Sequence, residues 1–316
     1  MSIKLSSKKD KALTEDQSHL TREIYHKQHK RIAEDDKSMK RFIKMFSNQY
    51  FGLEKEFFKN AKILDAGCGD TGKLLIALNR LGANEMHGFD LGTSFIPVLE
   101  KTLKNYKVPL QKVTIKSASV LKIPYPDNYF DFVSCHGVLV HLNNIGEVKK
   151  AFSELARVTK HNGFLYTVFG NAGGLFEEKI NPAIREYYHE NSDFKEFVDN
   201  IAPNDFKNIF DLIEKVTYKQ TGSKLGVKLI SRLFDMDFCV TIQNIIQAPV
   251  RLTLKTDEKF IVSLYEKNGF NHPKRLKRFV KRSNIRKFFS PLHYQRDETI
   301  SKILYGSGNL EFLGKK

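Results

Sequence analysis

The stretch at positions 61–90, AKILDAGCGDTGKLLIALNRLGANEMHGFD, constrains the fold more than any other part of this chain. It reads as strand, glycine loop, helix and strand. Ile63 and Leu64 end a short apolar run of the kind shown by a strand buried on both faces. Gly67, Gly69 and Gly72 follow, and they allow a tight turn in which backbone can approach a ligand closely. Leu74, Leu75, Leu78 and Leu81 then recur at helical spacing, and Gly82 closes the helix. Met86 to Phe89 resumes as a strand that ends at Asp90. Open parallel sheets bind ligands outside the carboxyl ends of their strands, which is where the glycines, Asp90 and the adjoining Leu91 fall.

Taken literally, Gly67-Cys68-Gly69-Asp70-Thr71-Gly72 fits the fingerprint of nicotinamide dinucleotide sites. With that ligand, or with any other adenosine-containing one, Asp90 would take a pair of ribose hydroxyls, because a carboxylate accepts two hydrogen bonds side by side. Asp65 discriminates. It stands two residues before the first glycine, where a pyrophosphate at the helix N-terminus would be repelled. A ligand carrying an ammonium group and no phosphates would be attracted. Asp65-Ala66-Gly67-Cys68-Gly69 in this way resembles the first motif of the class I S-adenosylmethionine-dependent methyltransferases. One departure stands out: the family usually places a single residue between the second and third glycines, and here Asp70 and Thr71 both intervene.

The resemblance continues over 118–142. Ser119 lies where many members carry an aspartate for the adenine amino group, and the Val120 amide would meet the adenine ring. Pro124, Pro126, Asp127 and Asn128 form a turn before a strand at 130–134, with Asp131 near its start and of no assigned role. Cys135-His136-Gly137-Val138-Leu139-Val140-His141-Leu142 resembles the segment lining the methyl-transfer site. By that likeness His136 sits beside the cofactor and His141 one step toward the acceptor, where it could act as general base. The implied cofactor contacts are Asp65, Gly67, Cys68, Gly69, Gly72, Asp90, Leu91, Ser119, Val120 and His136, with His141 as the catalytic candidate.

The fold implied is a Rossmann-like, doubly wound, seven-stranded and mostly parallel sheet with a helical insertion after the fifth strand. Residues 1–21 are polar and basic and read as a disordered tail. A helix over 22–46 and the cofactor-binding core make up 22–170, and in the family such a helix commonly covers the cofactor, which makes Tyr25 and His26 lid candidates. Further helices are expected at 94–106 and 147–158, the latter ended by Lys160-His161-Asn162-Gly163, with strands at 112–116 and 164–169. Residues 171–256 are helical in composition and form the insertion, in which Asp235, Asp237, Gln243 and Gln247 could face a substrate. Residues 257–316 supply a helix at 257–268 and a closing strand pair at 275–280 and 309–313.

The 316 residues carry 52 Lys and Arg against 36 Asp and Glu, a formal charge of +16, which makes acidic partners plausible. Much of it gathers in Lys274 to Lys287, eight cations interleaved with Phe279, Phe288 and Phe289. Such a run fits a nucleic acid or an anionic membrane surface, or simply an edge strand guarded by charge. Cys68, Cys135 and Cys239 are widely separated and lack metal-ligand spacing, which suggests reduced thiols and a cytoplasmic protein. No apolar run approaches the roughly 20 residues of a membrane span, and no signal-peptide core opens the chain. A small-molecule acceptor is favoured, because Ser134-Cys135-His136-Gly137 stands where amino methyltransferases of nucleic acids carry Asn/Asp-Pro-Pro-Tyr. The alternatives are an RNA- or protein-modifying methyltransferase and an inactive cofactor-binding interaction protein.

Overall fold

The computed structural model describes residues 22–26, 36–170, 173–200, 256–277, 299–306 and 308–316, with scattered positions between 205 and 247. Its centre is a seven-stranded sheet in the order β3-β2-β1-β4-β5-β7-β6. The strands are β1 (Lys62–Ala66), β2 (Glu85–Asp90), β3 (Val113–Ser117), β4 (Phe130–His136), β5 (Thr159–Phe169), β6 (Asn271–Arg275) and β7 (Leu310–Lys315). β1 to β5 pair in parallel, whereas β7 runs antiparallel between β5 and β6. The chain reverses its strand order on passing from β3 to β4, so a crevice opens beside β1 at the carboxyl ends of β1 and β4.

Helices cover both faces. On one lie α1 (Asp36–Met45), α2 (Asn48–Phe51), α3 (Lys73–Arg80) and α4 (Ile96–Asn105), packed over Ile63, Phe132 and Tyr166. On the other lie α5 (Ile145–Val158) and α8 (Glu258–Lys267), packed over Leu64, Val133 and Leu165. The leucine spacing read from the sequence accounts for α3, whose Leu74, Leu75, Ile76, Ala77 and Leu78 are buried. Asn144 starts α5 by accepting the Glu147 N–H at 3.0 Å, and Glu147 reaches back to the Asn143 N–H at 3.1 Å. This reciprocal satisfaction of free helix-end groups fixes the chain just after the candidate active-site segment. After β5 come α6 (Asn181–Glu190) and α7 (Ser192–Asn200), the described part of the insertion, and α9 (Thr299–Tyr305) precedes β7.

Three sequence expectations are corrected. Lys160-His161-Asn162-Gly163 does not end α5, because β5 already begins at Thr159. Those four residues bulge out of the ladder: Phe130 pairs with Thr159, but Phe132 pairs with Phe164. Asn162 takes the left-handed conformation at φ 64°, a position that asparagine tolerates better than most residues. The first strand of the closing pair is Asn271–Arg275 and not 275–280. Phe270, 2% exposed, packs on Tyr265 of α8 with ring centroids 5.4 Å apart, and that anchor starts the strand early. Pro273 and the charges of NHPKR hide it from a propensity reading, yet both suit an outer edge strand. The helix expected over 22–46 is described only at 22–26 and from Asp36 to Met45, and Tyr50 and Phe51 belong to a separate short helix begun by Ser47. The calls on 1–21, on Asp235, Asp237 and Gln243, on Cys239 and on residues 278–287 lie outside the described residues. Among the described residues, no helix is long and apolar enough to cross a membrane.

Candidate active site

The loop leaving β1 is held from beneath by β2. The N–H groups of Gly67 and Cys68 both donate to the Phe89 carbonyl, at 2.8 and 3.0 Å. Gly67 has φ 82°, and a Cβ there would come within 2.2 Å of Val138 Cγ2. Glycine is therefore required twice over, for its conformation and for the close approach of the segment after β4. Gly72, at φ 49°, caps α3, and its own Cβ would meet Leu99 at 2.5 Å. Of the two residues between Gly69 and Gly72, Asp70 is nearly buried, and its carboxylate pairs with the imidazole of His26.

Asp90 closes this loop electrostatically. Its two oxygens accept the N–H of Gly69 at 2.8 Å and of Leu91 at 2.7 Å. A carboxylate offers about four lone-pair sites, so capacity remains for further donors. Asp65 is 3% exposed and accepts the Ser134 hydroxyl at 2.8 Å. Asp65, Asp70 and Asp90 thus converge on one glycine loop. Burial pushes Asp65 up to about 7, with the Ser134 bond opposing and the Asp90 charge adding to the rise. Burial likewise raises Asp70 to about 6, against the pull of His26, and raises Asp90 against its two backbone bonds. Three acids crowded in this way favour a cation among them and disfavour an anion.

Burial holds the Cys68 and Cys135 thiols far above their ordinary range, so both stay neutral. Ser119, expected at the adenine, has its hydroxyl engaged by the Leu121 N–H at 3.2 Å. Val120, next to it, is buried.

β4 carries His136 at its end, followed by the positive-φ residue Gly137 and a short turn, Leu139–His141. Phe42 of α1 meets the His136 ring edge-on at 5.4 Å. His141 is partly buried, with the Tyr25 hydroxyl 2.9 Å from Nε2 and 3.4 Å from Nδ1. A hydroxyl on the lone-pair axis of one nitrogen would lie much farther from the other, so Tyr25 covers the ring without selecting a tautomer. Sequence reasoning brought together the glycines, Asp65, Asp90, His136 and His141. It missed Ser134, which only strand register reveals, and the part of Asp70, whose partner is 44 positions away in sequence. Elsewhere, Asp131 accepts the Lys62 N–H and Lys160 Nζ, each at 2.8 Å, and His87 bonds Tyr125 at 3.1 Å.

Residues 64–167 match the family described as a methyltransferase domain, a span that runs from β1 through most of β5. An uncharacterized methyltransferase of Schizosaccharomyces pombe is 32% identical over 137 residues, 42% of this chain and 46% of that protein. A demethylmenaquinone methyltransferase of Anoxybacillus flavithermus is 28% identical over 106 residues, 33% of this chain and 43% of that one. The chain spans about half the length of the curated relatives it matches. Among solved structures, PKMT2 of Rickettsia typhi aligns over 87% of this chain and 51% of its own, at a TM-score of 0.51 and 21% identity, which bears on the fold alone. The sheet order, the glycine loop and the family match define a methyltransferase domain of Rossmann-like architecture. Over residues 64–167 the chain is similar to the class I, S-adenosylmethionine-dependent methyltransferases.

Proposed function

We propose that the chain binds S-adenosylmethionine and transfers its methyl group to an oxygen, nitrogen or carbon nucleophile of a small molecule. The observation that carries this reading is the convergence of Asp65, Asp70 and Asp90 on the loop of Gly67, Gly69 and Gly72. The donor set suits a cofactor that is cationic at its sulfonium and ammonium groups, and it opposes a pyrophosphate. Asp90 is the ribose-binding carboxylate, Leu91 and the Gly69 backbone frame it, and Val120 and His136 bound the remaining walls.

When bound, the cofactor supplies an already activated methyl group. What is left to the protein is positioning and exclusion of water. His141 takes the proton of the acceptor if that acceptor is a hydroxyl, and an amine lone pair needs no base before transfer. A small acceptor is supported by the His136–His141 segment and by the likeness to a demethylmenaquinone methyltransferase. Calorimetry with S-adenosylmethionine and with NAD tests the cofactor. Binding of the first alone is expected, and tight binding of NAD with no signal from the first would sink the reading.

A further inference from the structure

We propose that the groove between α5 and α8 binds a small organic anion, a phosphate or carboxylate carried on an apolar body, at a site separate from the glycine loop. The groove holds about 320 Å³, within the range of small-molecule pockets. Its spacing is written in the two helices. Lys149 and Ser153 stand one turn apart on the same side of α5. Phe260, Ser263, Leu264 and Lys267 fall at i, i+3, i+4 and i+7 and share one side of α8. Beneath them Phe152 meets Tyr265 edge-on, with ring centroids 4.9 Å apart, and this buried contact joins the helices. Serine at 153 and 263 leaves open the space that larger side chains would fill.

Charge and polarity give the ligand class. Each helix contributes a lysine, and no acid lines the groove. The nearest acids on these helices are engaged elsewhere: Glu147 with Asn143 at 3.0 Å, Glu154 with Arg157 at 2.7 Å and Glu258 with Arg275 at 2.8 Å. Glu266, beside Lys267 in sequence, is exposed and outside the lining. Facing cations with no acid between them attract an anion. Ser263 spends its proton on the Phe260 carbonyl at 2.7 Å, so Ser153 is the hydroxyl that donates to the ligand. Phe260 and Leu264 supply apolar surface for the ligand body. The groove contains neither the glycines nor Asp90 nor His141, and α5 and α8 cover the sheet face opposite to α1 and α3. The proposal therefore stands independently of the cofactor reading.

Calorimetry on the full chain, with phenyl phosphate as the probe, tests it. Saturable binding is expected, tighter than that of inorganic phosphate or of phenol, each of which carries half of the recognition. Lys149→Gln combined with Lys267→Gln should weaken binding about tenfold or more, through loss of hydrogen bonds to a charged group. Ser153→Trp keeps both lysines but fills the groove, and should abolish binding. Lys101→Gln combined with Lys104→Gln lowers the net charge equally on α4 and should leave binding unchanged. All five altered positions are exposed, so the variants should fold, and their melting temperatures verify it. Failure of phenyl phosphate to saturate in the millimolar range would overturn the proposal. So would equal affinity in the groove variants, an equal loss in the α4 pair, or displacement of the probe by S-adenosylhomocysteine. Binding to phosphatidylglycerol vesicles with none to phenyl phosphate would likewise overturn it, and would mark the two lysines as a lipid-facing surface.

Discussion

Ser134 donates its hydroxyl to Asp65 across the β1–β4 pair, at 2.8 Å and between residues in direct register. This bond stabilises the ionised form of a carboxylate that burial otherwise drives toward neutrality. The acid is therefore poised near neutral pH in the absence of ligand.

The linkage has a definite sign. Asp65 titrates near 3.8 in an unfolded chain and at about 7 in the folded one. Its neutral form favours the fold fully below the unfolded value, and that contribution is lost as pH rises through the folded value. The rise from 3.8 to about 7 corresponds to a loss on the order of 4 kcal/mol at most. Thermal melts of the ligand-free chain between about pH 4 and 8 should show this decline, and Asp65→Asn should flatten it. Equal slopes for the two proteins would contradict the assignment.

Cofactor affinity should depend on Asp90. Asp90→Ala removes hydrogen bonds to a charged group and is expected to weaken S-adenosylmethionine binding by roughly 1.5–3 kcal/mol. It also frees the Gly69 N–H, so part of the loss reflects a looser loop. Calorimetry on a variant of native melting temperature separates this from misfolding, and unchanged affinity would remove Asp90 from the site.

Gly67→Ala should harm both stability and binding. The new methyl would press on Val138 at a backbone angle of 82°. A loss of about 1–3 kcal/mol in denaturant unfolding is expected, the usual range for overpacking. Adding Val138→Ala should restore part of it by opening space. A single variant as stable as the parent would mean that the loop and the β4 segment are not held together.

His141→Ala should leave the melting temperature and cofactor affinity near those of the parent while lowering turnover. The side chain is partly buried and makes its described contacts with Tyr25 rather than with the apolar core. Undiminished turnover with a known acceptor would assign it a structural role.

Lys277, Arg278, Lys281 and Arg282, replaced together by Gln, should scarcely change transfer to a soluble acceptor. Lys277 follows β6, the outermost strand, far along the sheet order from β1. Binding to RNA or anionic vesicles by this segment would fall steeply with salt. A large salt-sensitive loss of methyl transfer in the variant would move a polyanionic or membrane-held acceptor ahead of a soluble metabolite.

The cofactor half of the site was legible because its chemistry is local in sequence. Asp65, the glycines and Asp90 lie within 26 positions and are placed by one strand–helix–strand unit. The contacts of Tyr25 and His26 were not legible, because nothing in either residue by itself names His141 or Asp70 as partner. Contacts over more than a hundred positions, such as Tyr25 with His141, follow from the assembled sheet and not from periodicity. The same holds for β6, where edge position excuses Pro273 and a row of charges that would disqualify an interior strand.

The place of β7 bears on how the chain is made. The strand is interior to the sheet, yet β5 ends at Phe169 and its neighbour begins only at Leu310. While a ribosome is still adding the intervening residues, a nascent chain that has paired β1 to β5 exposes the full open edge of β5. That edge runs through Leu165, Tyr166 and Phe169, all fully buried once β7 arrives. Unpaired apolar edges recruit other strands. The interval between synthesis of β5 and of β7 is thus when a chaperone has most to shield, and when crowded expression should most favour inclusion bodies.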